Sequence, residues 1–217
     1  GGYIIYMITM IYLIRHGECK GNIENRLSGI TDFEITQRGK EQTYLLASKM
    51  KEFKISKIYS SPLSRAVDTA RIIMKENQIN KLNIDNELQE INYGVCDGMS
   101  WDDIDNEYPM VRKEWKKIYH YPVNIPGQES FNELQKRIKN AIIKITNDNL
   151  GENIAIISHG IAISSFLCLV KNLNAKECYK LKIQKNTSYS ILKFSNGKFY
   201  LLEESNSDHL KEDIYEQ

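Results

Sequence analysis

Three short apolar runs, each ending in a polar loop, constrain this chain more than any other feature. They are Met10–Ile14, Lys57–Ser60 and Asn153–Ser158. Runs of this kind, without polar alternation, suit strands buried on both faces. Helical patterns lie between them. Thr36 is placed to N-cap a helix whose stripe holds Leu45, Leu46, Met50 and Phe53. A helix from Leu63 to about Asn77 turns Ala66, Ala70, Ile73 and Met74 inward. Glu129–Asn147 repeats the pattern with Phe131, Leu134, Ile138, Ile142 and Ile145, and Ile161–Lys171 follows the third strand. Lys81–Ile84 is a weaker strand, and Asn196-Gly197 between Ser188–Phe194 and Lys198–Leu202 signals a hairpin. The alternation predicts an α/β fold, with a mainly parallel central sheet flanked by helices on both faces. One stretch, Gly94–Gly127, breaks it. It holds Trp101, Tyr108, Trp115, Tyr119, Tyr121 and three of the four prolines, and reads as a helical cap insertion. The expected organisation is one domain over 1–217 with a cap at about 94–127.

The formal net charge of +1 gives no overall field for nucleic acid or an anionic membrane, so attraction for a charged ligand must be local. The apolar segment Tyr3–Ile14 is too short to span a bilayer and has no basic flank, so it reads as a buried strand rather than a signal peptide. Cysteines 19, 96, 168 and 178 show no C-x-x-C spacing and read as reduced thiols of a cytoplasmic protein. His120 and His209 have no partner pattern and are expected on the surface.

In parallel α/β sheets, ligands bind beyond the carboxyl ends of the strands. The residues after the three runs are Arg15-His16-Gly17-Glu18, Ser60-Ser61-Pro62 with Arg65, and Ser158-His159-Gly160. They are expected to converge, bringing two arginines and two histidines to one edge. Arginine presents a planar fork that matches phosphate oxygens in pairs, and histidine serves as donor, base or nucleophile. Helix starts after each loop are expected to add N–H groups to the anion site. No metal is expected, because no H-x-x-x-H pair is present and the arginines would repel a cation. No cofactor is expected.

These residues carry a resemblance. Arg15-His16-Gly17-Glu18, Asn22, Ser28-Gly29, Asp32, Thr36, Gly39 and Gln42 follow in the order of the histidine phosphatase superfamily, the phosphoglycerate mutase-like fold. Ser60–Ala66 with Thr69-Ala70, Leu88-x-Glu90 with Tyr93-Gly94 and Gly98, Pro126-Gly127-x-Glu129-Ser130 and Ser158-His159-Gly160 complete the match. The resemblance implies that His16 attacks phosphorus and that Arg15, Arg65 and His159 bind the phosphoryl oxygens. It also implies that Glu90 is the general acid and base, and that Asn22, Ser28, Gly29 and Gly160 line the substrate site. The implied substrate is a small phosphorylated metabolite, bound by a monomer or homodimer.

Between Glu90 and Arg112 there is no Lys or Arg, whereas mutases of the superfamily carry a basic, aromatic stretch after the acid. The resemblance therefore favours the phosphatase branch, near broad-specificity, α-ribazole or fructose 2,6-bisphosphate phosphatases. A cofactor-dependent phosphoglycerate mutase is the alternative, and an inactive phosphate-binding member is the non-enzyme alternative. Arg112, Lys113, Lys116, Lys117 and His120 follow helical spacing and read either as a contact for a second anionic group or as a solvated cationic face.

Overall fold

A computed structural model describes residues 7–115, 125–178 and 183–210, without the side chains of 114, 115, 175 and 176. Six strands form one sheet in the order β3-β2-β4-β1-β5-β6. They are β1 (Thr9–Arg15), β2 (Lys57–Ser60), β3 (Leu82–Ile84), β4 (Asn153–Ser158), β5 (Tyr189–Ser195) and β6 (Lys198–Asn206). The first four pair in parallel, and the final hairpin adds two antiparallel strands at one edge. The hairpin turn places Asn196 and Gly197 at φ 54° and 71°, the left-handed pair that a two-residue turn demands.

Alternation along β1 and β4 explains why neither strand has a polar face. Ile11, Leu13, Ile154 and Ile156 enter one core, and Tyr12, Ile14, Ala155 and Ile157 enter the other. The second core is closed by α2 (Gln37–Met50) and α3 (Ser64–Glu76), through Leu46, Ala47, Met50, Ala66, Ala70 and Ile73. Thr36 caps α2 by accepting from the Gly39 N–H at 2.9 Å, as its side chain predicts. The first core is closed by α6 (Phe131–Asn147) and α7 (Gly160–Val170). All five residues of the predicted α6 stripe are buried there.

The insertion supplies a 3-10 turn at Gly94–Cys96 and two short helices, α4 (Trp101–Glu107) and α5 (Pro109–Trp115). Cys96, Ile104, Val111 and Ile125 share the core of α6 and α7. The described part of the insertion is thus packed into the body of the fold. Tyr119, Tyr121, Lys116, Lys117 and His120 lie outside the described residues. A short α1 (Lys20–Ile23) follows β1, and α8 (Ala175–Cys178) follows α7. No described helix is long and apolar enough to cross a membrane.

One expectation is corrected. Cys168 of α7 and Cys178 of α8 form a disulfide, with Cα atoms 5.6 Å apart, while Cys19 and Cys96 are free and buried. The turn between two helices brings the pair together, and a spacing of ten residues does not reveal that turn.

Ile156 is fully buried at the centre of the sheet. Ile156→Ala is expected to lower stability by about 2–5 kcal/mol, the usual range for such a truncation. Urea unfolding should show this as a lower midpoint with an unchanged slope.

Candidate active site

The order β2-β4-β1 sets three carboxyl ends side by side. Arg15 lies opposite Ser158, and Ser60 opposite Ile157. The His16 N–H donates to the Ser158 carbonyl at 3.1 Å, and the Ser61 N–H to the Ile157 carbonyl at 3.0 Å. The three polar loops therefore meet as expected, with the His16 and His159 rings 5.1 Å apart.

His16 is 3% exposed, and its Nδ1 lies 2.7 Å from the Gly17 carbonyl oxygen. A carbonyl only accepts, so the proton sits on Nδ1 and Nε2 carries the lone pair. Gly17 admits no side chain, since a Cβ would fall 2.7 Å from the Gly39 carbonyl oxygen. Burial, reinforced by Arg65 and Arg15, holds the His16 pKa well below its ordinary value. His159 is depressed in the same way, first by burial and then by Arg65, His16 and Arg15. Its Nε2 meets Ser61 Oγ at 2.8 Å, whereas its buried Nδ1 has no protein partner.

Arg65 is fully buried and donates to the Thr31 carbonyl at 2.9 Å and the Gly29 carbonyl at 2.6 Å. Arg15 donates to the Gln184 carbonyl. Burial lowers both pKa values, but a guanidinium stays charged at neutral pH. The Nε of each arginine is buried without a protein partner. Glu90, 5% exposed, sits opposite this charge. Its Oε1 accepts from the Ile91 and Ala162 N–H groups and its Oε2 from Ile161 N–H, each at 2.9 Å. Burial outweighs these donors and the pull of Arg65, so its pKa lies above the usual carboxylate value. The arrangement combines a neutral imidazole, one buried and one half-buried guanidinium, and a carboxyl inclined to hold its proton.

The model of the histidine phosphatase superfamily (branch 1) matches residues 11–207. This chain belongs to that superfamily. The chain is similar to phosphoserine phosphatase 1 of Hydrogenobacter thermophilus, 26% identical over 95% of this chain and 96% of that one. It is 31% identical to a probable phosphoglycerate mutase GpmB of Shigella boydii, over 88% and 87% of the two chains. The solved structure of Bacillus stearothermophilus YhfR superposes with a TM-score of 0.85 at 27% identity, covering 93% of this chain and 98% of that one.

Other residues expected at this histidine phosphatase site take more specific places. Asn22 Oδ1 accepts from the Cys19 N–H at 3.1 Å and from Asn186 Nδ2 at 3.2 Å. Ser28 is half-buried and donates to the Arg26 carbonyl at 3.2 Å. Gly29 is tightly enclosed, because a Cβ would fall 2.1 Å from Asp97 Oδ2. Gly160 packs closely on Ile183, whose Cγ2 would stand 2.5 Å from a Cβ, with the Arg15 guanidinium at contact distance, 3.7 Å.

Two expectations are corrected, on the helix starts and on His209. The helix starts do not all offer free N–H groups. Glu90 takes those of Ile161 and Ala162 at the start of α7, and Asp32 accepts from Ser64 N–H at the start of α3 at 2.8 Å. Of the cationic stripe, Arg112 stacks over Trp101, 4.2 Å from its ring, and lies 3.5 Å from Asp105, while Lys116, Lys117 and His120 lie outside the described residues. His209 is only half-exposed and meets Thr187 Oγ1 at 3.1 Å, and burial lowers its pKa to about 4.

Sequence reasoning missed the strap before β5. Asn186 Nδ2 donates to the His16 carbonyl at 3.1 Å, and Gln184 supplies the carbonyl for Arg15. Its only signal was a polar run, Gln184–Ser188, ahead of an apolar strand. Thr69 Oγ1, which accepts from the Gly17 N–H at 2.9 Å, was quoted only as part of a motif. Among the described residues, no cluster of three or more His, Cys, Asp or Glu is arranged to hold a metal ion.

The depressed histidines make stability depend on pH. Below an unfolded-state pKa of about 6.5, the unfolded chain binds protons that folded His16 and His159 refuse. Stability is therefore expected to fall as pH drops below about 6.5. His159→Gln should flatten that slope when urea midpoints are measured across the range.

Proposed function

We propose that the chain is a phosphatase that hydrolyses small phosphomonoesters through a phosphohistidine on His16. The observation that carries this reading is the state of His16. It is neutral, with Nδ1 tied to the Gly17 carbonyl and Nε2 bearing its lone pair, beside the buried Arg65 and half-buried Arg15 guanidinium groups. Phosphoryl transfer asks mainly for positioning and charge stabilisation, and these groups supply both. Arg15, Arg65 and His159 Nδ1 bind the non-bridging oxygens, joined by Asn22. His16 Nε2 forms a bond to phosphorus as the ester oxygen departs, and Glu90 gives that oxygen its proton. Glu90 Oε2 accepts one backbone N–H where Oε1 accepts two, so Oε2 has more room for the proton. In the second half, the Glu90 carboxylate takes a proton from water as its oxygen attacks phosphorus, and the P–N bond breaks. Products are alcohol and inorganic phosphate, with His16 and Glu90 restored. No step calls for a metal, and activity is expected to survive EDTA. In this reading the chain is one domain whose insertion covers the site. The shared core of the insertion with α6 and α7 supports the single domain.

The 31% identity to a probable phosphoglycerate mutase favours a second reading, in which the phosphoryl group returns to the substrate. Two features favour water as the acceptor. No Lys or Arg lies between Glu90 and Arg112, and Arg112 is engaged by Trp101 and Asp105. Phosphate release is expected from p-nitrophenyl phosphate, an alkyl phosphate and 3-phosphoglycerate without added bisphosphoglycerate. Isomerisation of 3-phosphoglycerate that needs bisphosphoglycerate, with little phosphate released, would establish the mutase instead. Glu90→Gln is expected to slow the alkyl ester by roughly 10²–10⁴-fold, the range for one general acid. Its loss on p-nitrophenyl phosphate should be smaller, because that leaving group needs little protonation. With alkyl substrate, activity should fall as pH rises through the elevated Glu90 pKa.

A further inference from the structure

Glu90 sits on a stretch with little secondary structure of its own. The short 3-10 turn Asn86–Leu88 ends just before it, and an extended segment carries the chain on towards Tyr93. Something outside the stretch must hold it, because a general acid displaced by about 1 Å loses much of its effect. Three elements do so. The Ile161 and Ala162 N–H groups hold the carboxylate, Ser158 Oγ at the end of β4 donates to the Leu88 carbonyl at 2.7 Å, and the Arg137 side chain, on α6, holds the backbone on either side of Glu90.

Arg137 uses all five of its N–H donors. Nε and one terminal nitrogen make a two-point contact with Glu129, at 2.6 and 2.9 Å. The three remaining N–H groups reach the carbonyls of Glu87 (2.7 Å), Gln89 (2.8 Å) and Glu90 itself (2.9 Å). Glu129 grips the far side of the same stretch. Its N–H donates to the Asn92 carbonyl at 2.9 Å, and its Oε2 accepts from the Asn92 N–H at 3.3 Å. Residues 87–92 are thus clasped by one ion pair, of which both side chains are mostly buried, at 19% and 16% exposure. Only a planar five-donor fork serves one carboxylate and three carbonyls at once, and lysine has three donors from a single point.

We infer that Arg137, locked by Glu129, is a positioning residue that fixes the Glu90 carboxyl at the leaving oxygen. The inference rests on Glu90 acting as the general acid. Arg137 touches neither substrate nor His16 in this account, and its charge bears on His159 only as the last of the causes that lower that pKa, so the effect of its removal that depends on the leaving group should come through Glu90.

The test compares Arg137→Gln, Arg137→Lys, Glu90→Gln and the double variant Glu90→Gln with Arg137→Gln, on an alkyl phosphate and on p-nitrophenyl phosphate. Arg137→Gln is expected to lower kcat on the alkyl ester by about 10- to 100-fold, part of what the acid contributes, with KM little changed. The loss on p-nitrophenyl phosphate should be several-fold smaller. Arg137→Lys should recover part of the alkyl activity and keeps the test valid should Arg137→Gln not fold. In the Glu90→Gln background, Arg137→Gln should cost almost nothing further. Equal losses on both substrates and in both backgrounds would overturn the inference, as would no loss at all. If Glu90→Gln itself shows no preference for the aryl ester, the acid assignment falls and takes this inference with it. If Glu90→Gln shows the preference and both Arg137 variants lack it, only the role of Arg137 falls.

Discussion

The site is organised by the need to keep two guanidinium groups charged away from bulk water. An unsolvated ion in a protein interior costs several kcal/mol, so the protein must provide its own solvation. Arg65 receives the carbonyls of Gly29 and Thr31, and Arg15 that of Gln184. Those carbonyls come from irregular segments, which in turn need holding. Asp97 does so for the first, accepting from the N–H groups of Ile30, Thr31 and Tyr93 at 2.7–3.0 Å. Asn186 ties the second to the His16 carbonyl. With the cations in place, neighbouring titratable groups follow. Both histidines are pushed towards the neutral form, because burial and two positive neighbours act in the same direction. Glu90 feels burial and attraction in opposite directions, and burial prevails. The site's capacity for nucleophilic and acid chemistry follows from that single electrostatic constraint.

The sheet makes this arrangement mechanically credible. Parallel pairing of β2, β4 and β1 sets three carboxyl ends in one row, and each strand is anchored in two cores. Arg15, His16 and His159 therefore stand at the ends of the most buried strands, and Arg65 in the first turn of α3 just after β2. The supporting segments are looser and are clasped by side chains, as Arg137 and Glu129 clasp residues 87–92.

Unbroken apolar runs made β1, β2 and β4 legible, and periodicity made α2, α3 and α6 legible, because each of those helices buries one regular face. The convergence of His16, Arg65 and His159 followed from the same reading, since strand ends in a parallel sheet share an edge. What escaped was contact between segments distant in sequence. Cys168 and Cys178 are paired by a helix turn that leaves no periodic trace. The Gln184 carbonyl acts through its backbone, which carries no residue signature. In the sequence Arg137 is one more charge on an amphipathic helix, and only the fold shows that three of its donors reach the Glu90 stretch and the other two Glu129. The helix starts were misjudged for a related reason, because Glu90 and Asp32 reach them from elsewhere in the chain.

The central claim is that His16 Nε2 carries the phosphoryl group during turnover. Rapid acid-free quench during hydrolysis, followed by peptide mass spectrometry, tests it directly. The account predicts a phosphopeptide containing His16, stable to base and labile to acid, that forms and decays fast enough to account for turnover. It also predicts no such species, and no turnover, in His16→Ala. Phosphate release at a near-normal rate by His16→Ala, or a phosphoryl group trapped on another residue, would contradict it.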